Sequence, residues 1–149
     1  MTAVRRVLVN RAWLFALAYA LFAYTFHSVG NATGLYVRYW WFQLLTHYIS
    51  ASAVALLVAR VGLGIGLRGT RLAAFVVAFA GAGAVGWEVV EYLGLFANLH
   101  FWGFDDSAVD LLADAVGIAT VLLLLRTRVR PALDPGDETT FRGLREPQN

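Results

Sequence analysis

Apolar residues along this chain gather into four long blocks that are separated by short polar segments. Each block provides roughly the 20 residues that a helix needs to cross a bilayer, the fourth only with its acidic first turns, and no proline interrupts any of them. The pattern therefore predicts an all-α polytopic membrane protein, a bundle of four transmembrane helices. The predicted spans are residues 12–30, 39–60, 71–96 and 107–126, which together form one domain, 12–126.

The composition also indicates a membrane protein. Of the 149 residues, 59% are hydrophobic and 15% are charged, whereas about a quarter of the residues in a soluble domain are charged. The chain has no cysteine, which excludes disulfides, thiolate metal ligands and cysteine nucleophiles. Its arginines are dispersed between the apolar blocks and do not gather on one face, so we expect no binding to nucleic acid.

The first apolar block resembles a signal peptide only in part. A basic segment precedes it, but the block ends in Phe26-His27-Ser28-Val29, which lacks the small residues of a cleavage site. We therefore expect this block to be retained in the protein as its first transmembrane helix.

The arginines set the predicted orientation of the chain, because positively charged loops stay on the cytoplasmic side. Residues 31–38 contain one arginine and residues 97–107 contain none, so both are predicted to be external. We expect a multi-pass plasma-membrane protein with a cytoplasmic N-terminus, 1–11, and a disordered cytoplasmic tail, 127–149, which is poor in apolar residues. The cytoplasmic segments hold Arg5, Arg6 and Arg11, then Arg60, Arg68 and Arg71, and finally Arg126, Arg128 and Arg130.

Ionisable side chains lie at a common depth in three of the predicted helices. Glu88 and Glu91 are three residues apart and Asp110 and Asp114 are four apart, and both spacings place side chains on one face of a helix. At about 1.5 Å of rise per residue, these carboxylates and His47 all fall in the external half. A carboxylate in the hydrocarbon region costs free energy, so it usually occurs there only when it pairs with another polar group or has a functional role. The candidate metal ligands are therefore His47, Glu88, Glu91, Asp110 and Asp114, with Asp106 and His27 as second-line members.

This ligand set is rich in oxygen, so it suits Mg, Mn, Ca or Fe, or Zn with mixed ligands. The leading hypothesis is a divalent-metal site that faces the external side of the bilayer, with no organic cofactor. If a lipid head group or another amphiphile enters between the helices, the metal can polarise a phosphoryl or carbonyl oxygen and activate water, with a remaining carboxylate as general base. The residues indicate a binding site more directly than they indicate catalysis. Whether the protein is an enzyme therefore stays open.

Two other functions fit the same residues. Acid and histidine clusters in membranes often serve as proton or ion relays, although the cytoplasmic half offers no titratable partner and four helices are narrow unless a homo-oligomer forms. The cluster can also be a buried network that only fixes helix packing. Single residues have plainer interpretations: Ser107 and Asp110 have the spacing of a capping box, His27 suits a membrane interface and His100 a loop.

Three motifs cover about residues 38–120. They are Thr46-His47-Tyr48 running into Ala55-Leu56-Leu57-Val58-Ala59-Arg60, then Trp87-Glu88-Val89-Val90-Glu91, and finally Asp106-Ser107-Ala108-Val109-Asp110-Leu111-Leu112-Ala113-Asp114-Ala115-Val116-Gly117. As a set they resemble the YjdF-like family of small integral membrane proteins and, more distantly, VanZ-like proteins. The chain is shorter than typical members and lacks the family's longer insertion between Glu91 and Asp106. The resemblance implies a membrane protein with a shared polar motif and brings no established activity.

Overall fold

Four long helices and one short helix make up the part of the chain that the computed structural model describes, residues 11–94 and 104–126. No strand occurs among these residues. Each long helix is long and apolar enough to cross a membrane, so the prediction of an all-α protein with four membrane-spanning helices is confirmed at that level. The helices are α1 (Arg11–Thr33), α2 (Leu35–Arg38), α3 (Trp40–Gly64), α4 (Gly69–Tyr92) and α5 (Phe104–Leu124). The predicted N-terminal segment, His100 and the predicted tail from residue 127 lie outside the described residues.

Helix α3 is the centre of the bundle, because it packs against each of the other four helices and most extensively against α5. α3 and α5 run parallel, since Gln43 contacts Asp106 while Tyr48, further along α3, contacts Thr120 of α5. α1 and α4 run in the opposite direction, and short connections join each of them to α3. We call the end at which α1 ends and α3 begins the polar end, and the end at which α3 ends and α4 begins the core end.

Small residues bring the helices together toward the core end. In lipid, close approach of helix backbones replaces much of the hydrophobic driving force that packs helices in water. Nearer the polar end, α5 lies close against α3 at Gly117, where an added Cβ would lie 2.5 Å from the backbone oxygen of Tyr48. The main apolar cluster includes Ala12, Ala16, Ala55, Ala59, Leu63, Val76, Ala80, Ile118 and Val121.

Large apolar side chains cover the outer surface of the long helices. A soluble monomer rarely exposes a continuous apolar surface of this kind, whereas a bilayer solvates it. The exposed side chains include Leu14, Phe15, Leu21, Phe22, Val77, Phe79, Leu112 and Leu123. The outer surface therefore agrees with four membrane-spanning helices.

Arg60 lies inside α3, whereas the sequence predicted it as the last residue of the span 39–60, at the edge of a cytoplasmic segment. The helix continues to Gly64, the arginine is only 1% exposed, and its guanidinium carbon lies 5.7 Å from the centre of the Trp13 ring. That distance is within the range of a cation–π contact. A buried positive charge therefore stands at the core end.

Candidate metal centre

His47, Glu88, Glu91 and Asp110 converge at the polar end from α3, α4 and α5. Each offers one ligand atom, and these four atoms lie within 4.8 Å of one another. Two oxygens on opposite sides of a calcium ion, each about 2.4 Å from it, are separated by roughly the same distance, and smaller ions bring their ligands closer. The spacing of the four atoms therefore fits a single divalent ion.

His47 is the residue that the carboxylates share. Its Nδ1 lies 3.2 and 3.3 Å from the two carboxylate oxygens of Asp114 and 4.0 Å from Oε1 of Glu88. Its Nε2 lies 3.6 Å from Oδ2 of Asp110. A proton on Nδ1 can be donated to Asp114, which holds the ring and leaves the lone pair of Nε2 directed toward Asp110, as in the carboxylate–histidine–metal arrangement. Asp114 is thereby placed to orient His47 from outside the group of four.

Three buried carboxylate oxygens have no hydrogen-bond partner within the described part of the chain. They are both oxygens of Glu88 and Oδ1 of Asp110. Glu88 is 8% exposed and Asp110 is 1% exposed, so little water reaches either carboxyl group. Burying a carboxylate without hydrogen bonds is costly, and a bound cation beside these oxygens would remove that cost.

Gln43 joins Asp106 to the centre. Its Nε2 donates to Oδ2 of Asp106 at 2.9 Å and to Oδ2 of Asp110 at 2.6 Å. The second bond holds Oδ2 of Asp110 and leaves Oδ1 as the oxygen without a partner. Gln43 is not among the predicted site residues, although it lies four positions before His47 and therefore on the same face of α3. That spacing is the signal that could have found it.

His27 lies beside the centre and not within the group of four. Its Nδ1 is 2.7 Å from the hydroxyl of Tyr36, and its ring meets Trp87 edge-on with the centroids 6.0 Å apart. The indole N–H of Trp87 donates to Oε1 of Glu91 at 2.8 Å. Tyr36 and Trp87 are absent from the predicted site, because an aromatic residue at a helix end gives the same signal as an ordinary interfacial aromatic.

Tyr36 stands on α2, outside the membrane-spanning helices. Burial raises the pKa of its hydroxyl, and the nearby carboxylates of Glu91 and Asp110 raise it further. Tyr36 therefore keeps its proton at neutral pH and can donate a hydrogen bond to His27 or to a ligand above the centre.

The helix-cap interpretation of Asp110 is wrong. Ser107, the residue that would cap the helix, lies inside α5, which already includes Phe104. Asp110 instead contacts Gln43 and His47 of α3. Its position is explained by contacts between helices.

We compared the chain with protein-family models, curated proteins and solved structures, and none of them matches. The resemblance to the YjdF-like family therefore stays a prediction that rests on its three motifs. The function has to be argued from the geometry of the centre.

Proposed function

We propose that this protein is a divalent-metal-binding integral membrane protein, with His47, Glu88, Glu91 and Asp110 as the metal ligands. The observation that carries the proposal is the set of buried oxygens of Glu88 and Asp110 that lack hydrogen-bond partners and face a histidine within the ligand spacing of one ion. Asp114 orients His47 through Nδ1, and Gln43 holds Asp110.

Electrostatics support a cation at this position. Three carboxylates in a low-dielectric environment repel one another far more strongly than they do in water. They cannot all stay charged without compensation, which a divalent ion supplies as the largest local charge. An imidazole ligand among oxygen ligands favours Mn, Fe or Zn over Mg or Ca, which bind mainly to oxygen.

The metal content of the purified protein tests this proposal. After purification in a mild detergent without chelator, we expect about one equivalent of a divalent metal per chain, since the four ligand atoms fit one ion. Glu88→Gln and Asp110→Asn each keep the size of the side chain but remove a charged ligand, so both should lose most of this metal. Elemental analysis of the protein peak from size-exclusion chromatography measures it.

His27→Gln is the matched control, because His27 lies at the same end of the bundle but outside the group of four. It should keep the metal content of the wild type. Wild-type protein that holds no metal even after incubation with Mn, Fe or Zn, or variants that hold as much as the wild type, would contradict the proposal.

An amphiphilic substrate is the second part of the proposal. On a six-coordinate ion such as Mn or Fe, four protein ligands leave positions for water or for an oxygen of a substrate. The ligands lie within about two helical turns of the helix ends at the polar end, so a lipid head group at that end could reach them. A metal here can polarise a phosphoryl or carbonyl oxygen in a head group and activate water for attack.

Ion translocation is less well supported than metal binding. A cation that leaves the centre toward the core end would have to pass a tightly packed apolar cluster that includes Ala55, Ala59 and Leu63. It would also approach the buried guanidinium of Arg60, which repels a divalent cation. Both features favour a centre that is reached from the polar end.

We further propose that both termini are cytoplasmic and that the polar end faces the outside of the cell. Arg60 lies within α3, but Arg68 and Arg71 remain at the core end. The core end therefore still has more arginines than the polar end, as a cytoplasmic side does. Reporter fusions after Arg130 should give a cytoplasmic signal, and insertions within 98–103 should give an external one. A fusion between Gly66 and Arg68, expected to be cytoplasmic, is the control; an external signal after Arg130 would overturn the orientation.

A further inference from the structure

A groove of about 360 Å³ opens between α3 and α5 at the polar end. Its volume lies at the lower end of the range for small-ligand pockets, roughly 300 to 1,000 Å³. It is distinct from the metal centre, although the two share Gln43. The lining residues are Trp40, Gln43, Leu44, Asp106 and Val109.

The lining of the groove combines one acid with an aromatic ring and apolar side chains. Asp106 carries the only charge among the five lining residues. Trp40 is the first residue of α3 and is 79% exposed, so its ring is open to a ligand. Leu44 and Val109 make the remaining surface apolar. A carboxylate and an indole ring that line one groove can both attract an ammonium group, because the ring face carries negative electrostatic potential.

We propose that this groove binds the ammonium head group of a membrane amphiphile. The carboxylate of Asp106 pairs with the positive charge and Trp40 adds a cation–π contact. Leu44 and Val109 contact the methylene groups that follow the head group. The charge of the lining excludes anionic head groups, and the position between two membrane helices favours a lipid-like molecule over a soluble amine.

The groove also places such a ligand next to the metal centre. Gln43 donates to Asp106 in the groove and to Asp110 in the centre through the same nitrogen. A head group that is held at Asp106 is therefore separated from the proposed metal ligand Asp110 only by the side-chain amide of Gln43. The ammonium site does not itself require the metal, so the two proposals can fail separately.

Binding of dodecyltrimethylammonium tests the inference. The full-length protein in a maltoside detergent is titrated with this cation, with dodecyl sulfate as the anionic probe and with tetramethylammonium as the head group without a chain. Native mass spectrometry counts the bound molecules. Of the three probes, we expect only dodecyltrimethylammonium to bind saturably. Its affinity should be about tenfold weaker after Asp106→Asn or Trp40→Ala, since each substitution removes one of the two attractive contacts.

Trp41→Ala is the matched control, because it removes the neighbouring indole, which does not line the groove; it should bind as the wild type does. Val109→Trp fills the groove and should abolish binding while the protein keeps its metal. Binding should persist in the presence of a chelator. The inference is overturned if dodecyl sulfate or tetramethylammonium binds as well as dodecyltrimethylammonium, if Asp106→Asn changes nothing, or if the chelator abolishes binding.

Discussion

Removal of divalent metal by a chelator should lower the melting temperature of the purified protein near neutral pH, and added metal should restore it. A ligand that binds only the folded state stabilises it by about 2.7 kcal/mol at a free concentration 100 times its dissociation constant. For a protein of this size that corresponds to a shift in melting temperature of roughly 5 to 11 °C. The tryptophan residues allow the transition to be followed by intrinsic fluorescence.

The side-chain variants show whether this effect arises at the proposed centre. In the protein with both Glu88→Gln and Asp110→Asn, the chelator should have no effect, because two of the four ligands are gone. Asp114→Asn leaves the four ligands in place but weakens the hold on His47, so metal affinity should fall by about 10- to 100-fold. If the chelator leaves the wild type unchanged while the double substitution raises its stability, the cluster is a protonated network and the metal hypothesis is wrong.

Gly117→Ala should destabilise the protein and weaken metal binding together. The added Cβ would lie 2.5 Å from the backbone oxygen of Tyr48 and 3.2 Å from the backbone nitrogen of Ser52. Backbone atoms cannot rotate away, so α5 has to move away from α3. Overpacking of this kind costs about 1–3 kcal/mol, and the movement carries Asp110 and Asp114 away from His47.

Gly81→Ala is the control for this substitution. Gly81 lies within α4, and its added Cβ meets no atom within 4 Å, so alanine there should be neutral or slightly stabilising. Thermal unfolding and metal titration of the two variants measure both effects. Equal stability of Gly117→Ala and Gly81→Ala would show that the close approach of α3 and α5 is not needed.

The hydropathy pattern predicted the four spans because burial in lipid demands long apolar runs whatever the packing. It ended the second span at Arg60, whereas α3 continues to Gly64. A charged residue marks the end of an apolar run in a sequence, although here neighbouring helices bury the arginine. Spacing predicted correctly that the carboxylates of α4 and α5 share helix faces.

The different roles within the centre could not be predicted from the sequence. Asp110 and Asp114 lie on one face of α5, and only the register of α5 against α3 brings Asp114 to Nδ1 of His47 and Asp110 to Gln43. That register depends on the fit at Gly117. The spacing of acids along one helix carries no information about it.

The parallel pairing of α3 with α5 has a consequence for biogenesis. His47 and Asp114 are separated by 67 positions, and Gln43 and Asp110 by the same number. Because α5 follows α3 and α4 in the chain, α3 enters the bilayer before the carboxylates of α5 do. The insertion of α3 must therefore rely on its own apolar residues, and the centre assembles only after the last helix has entered the bilayer.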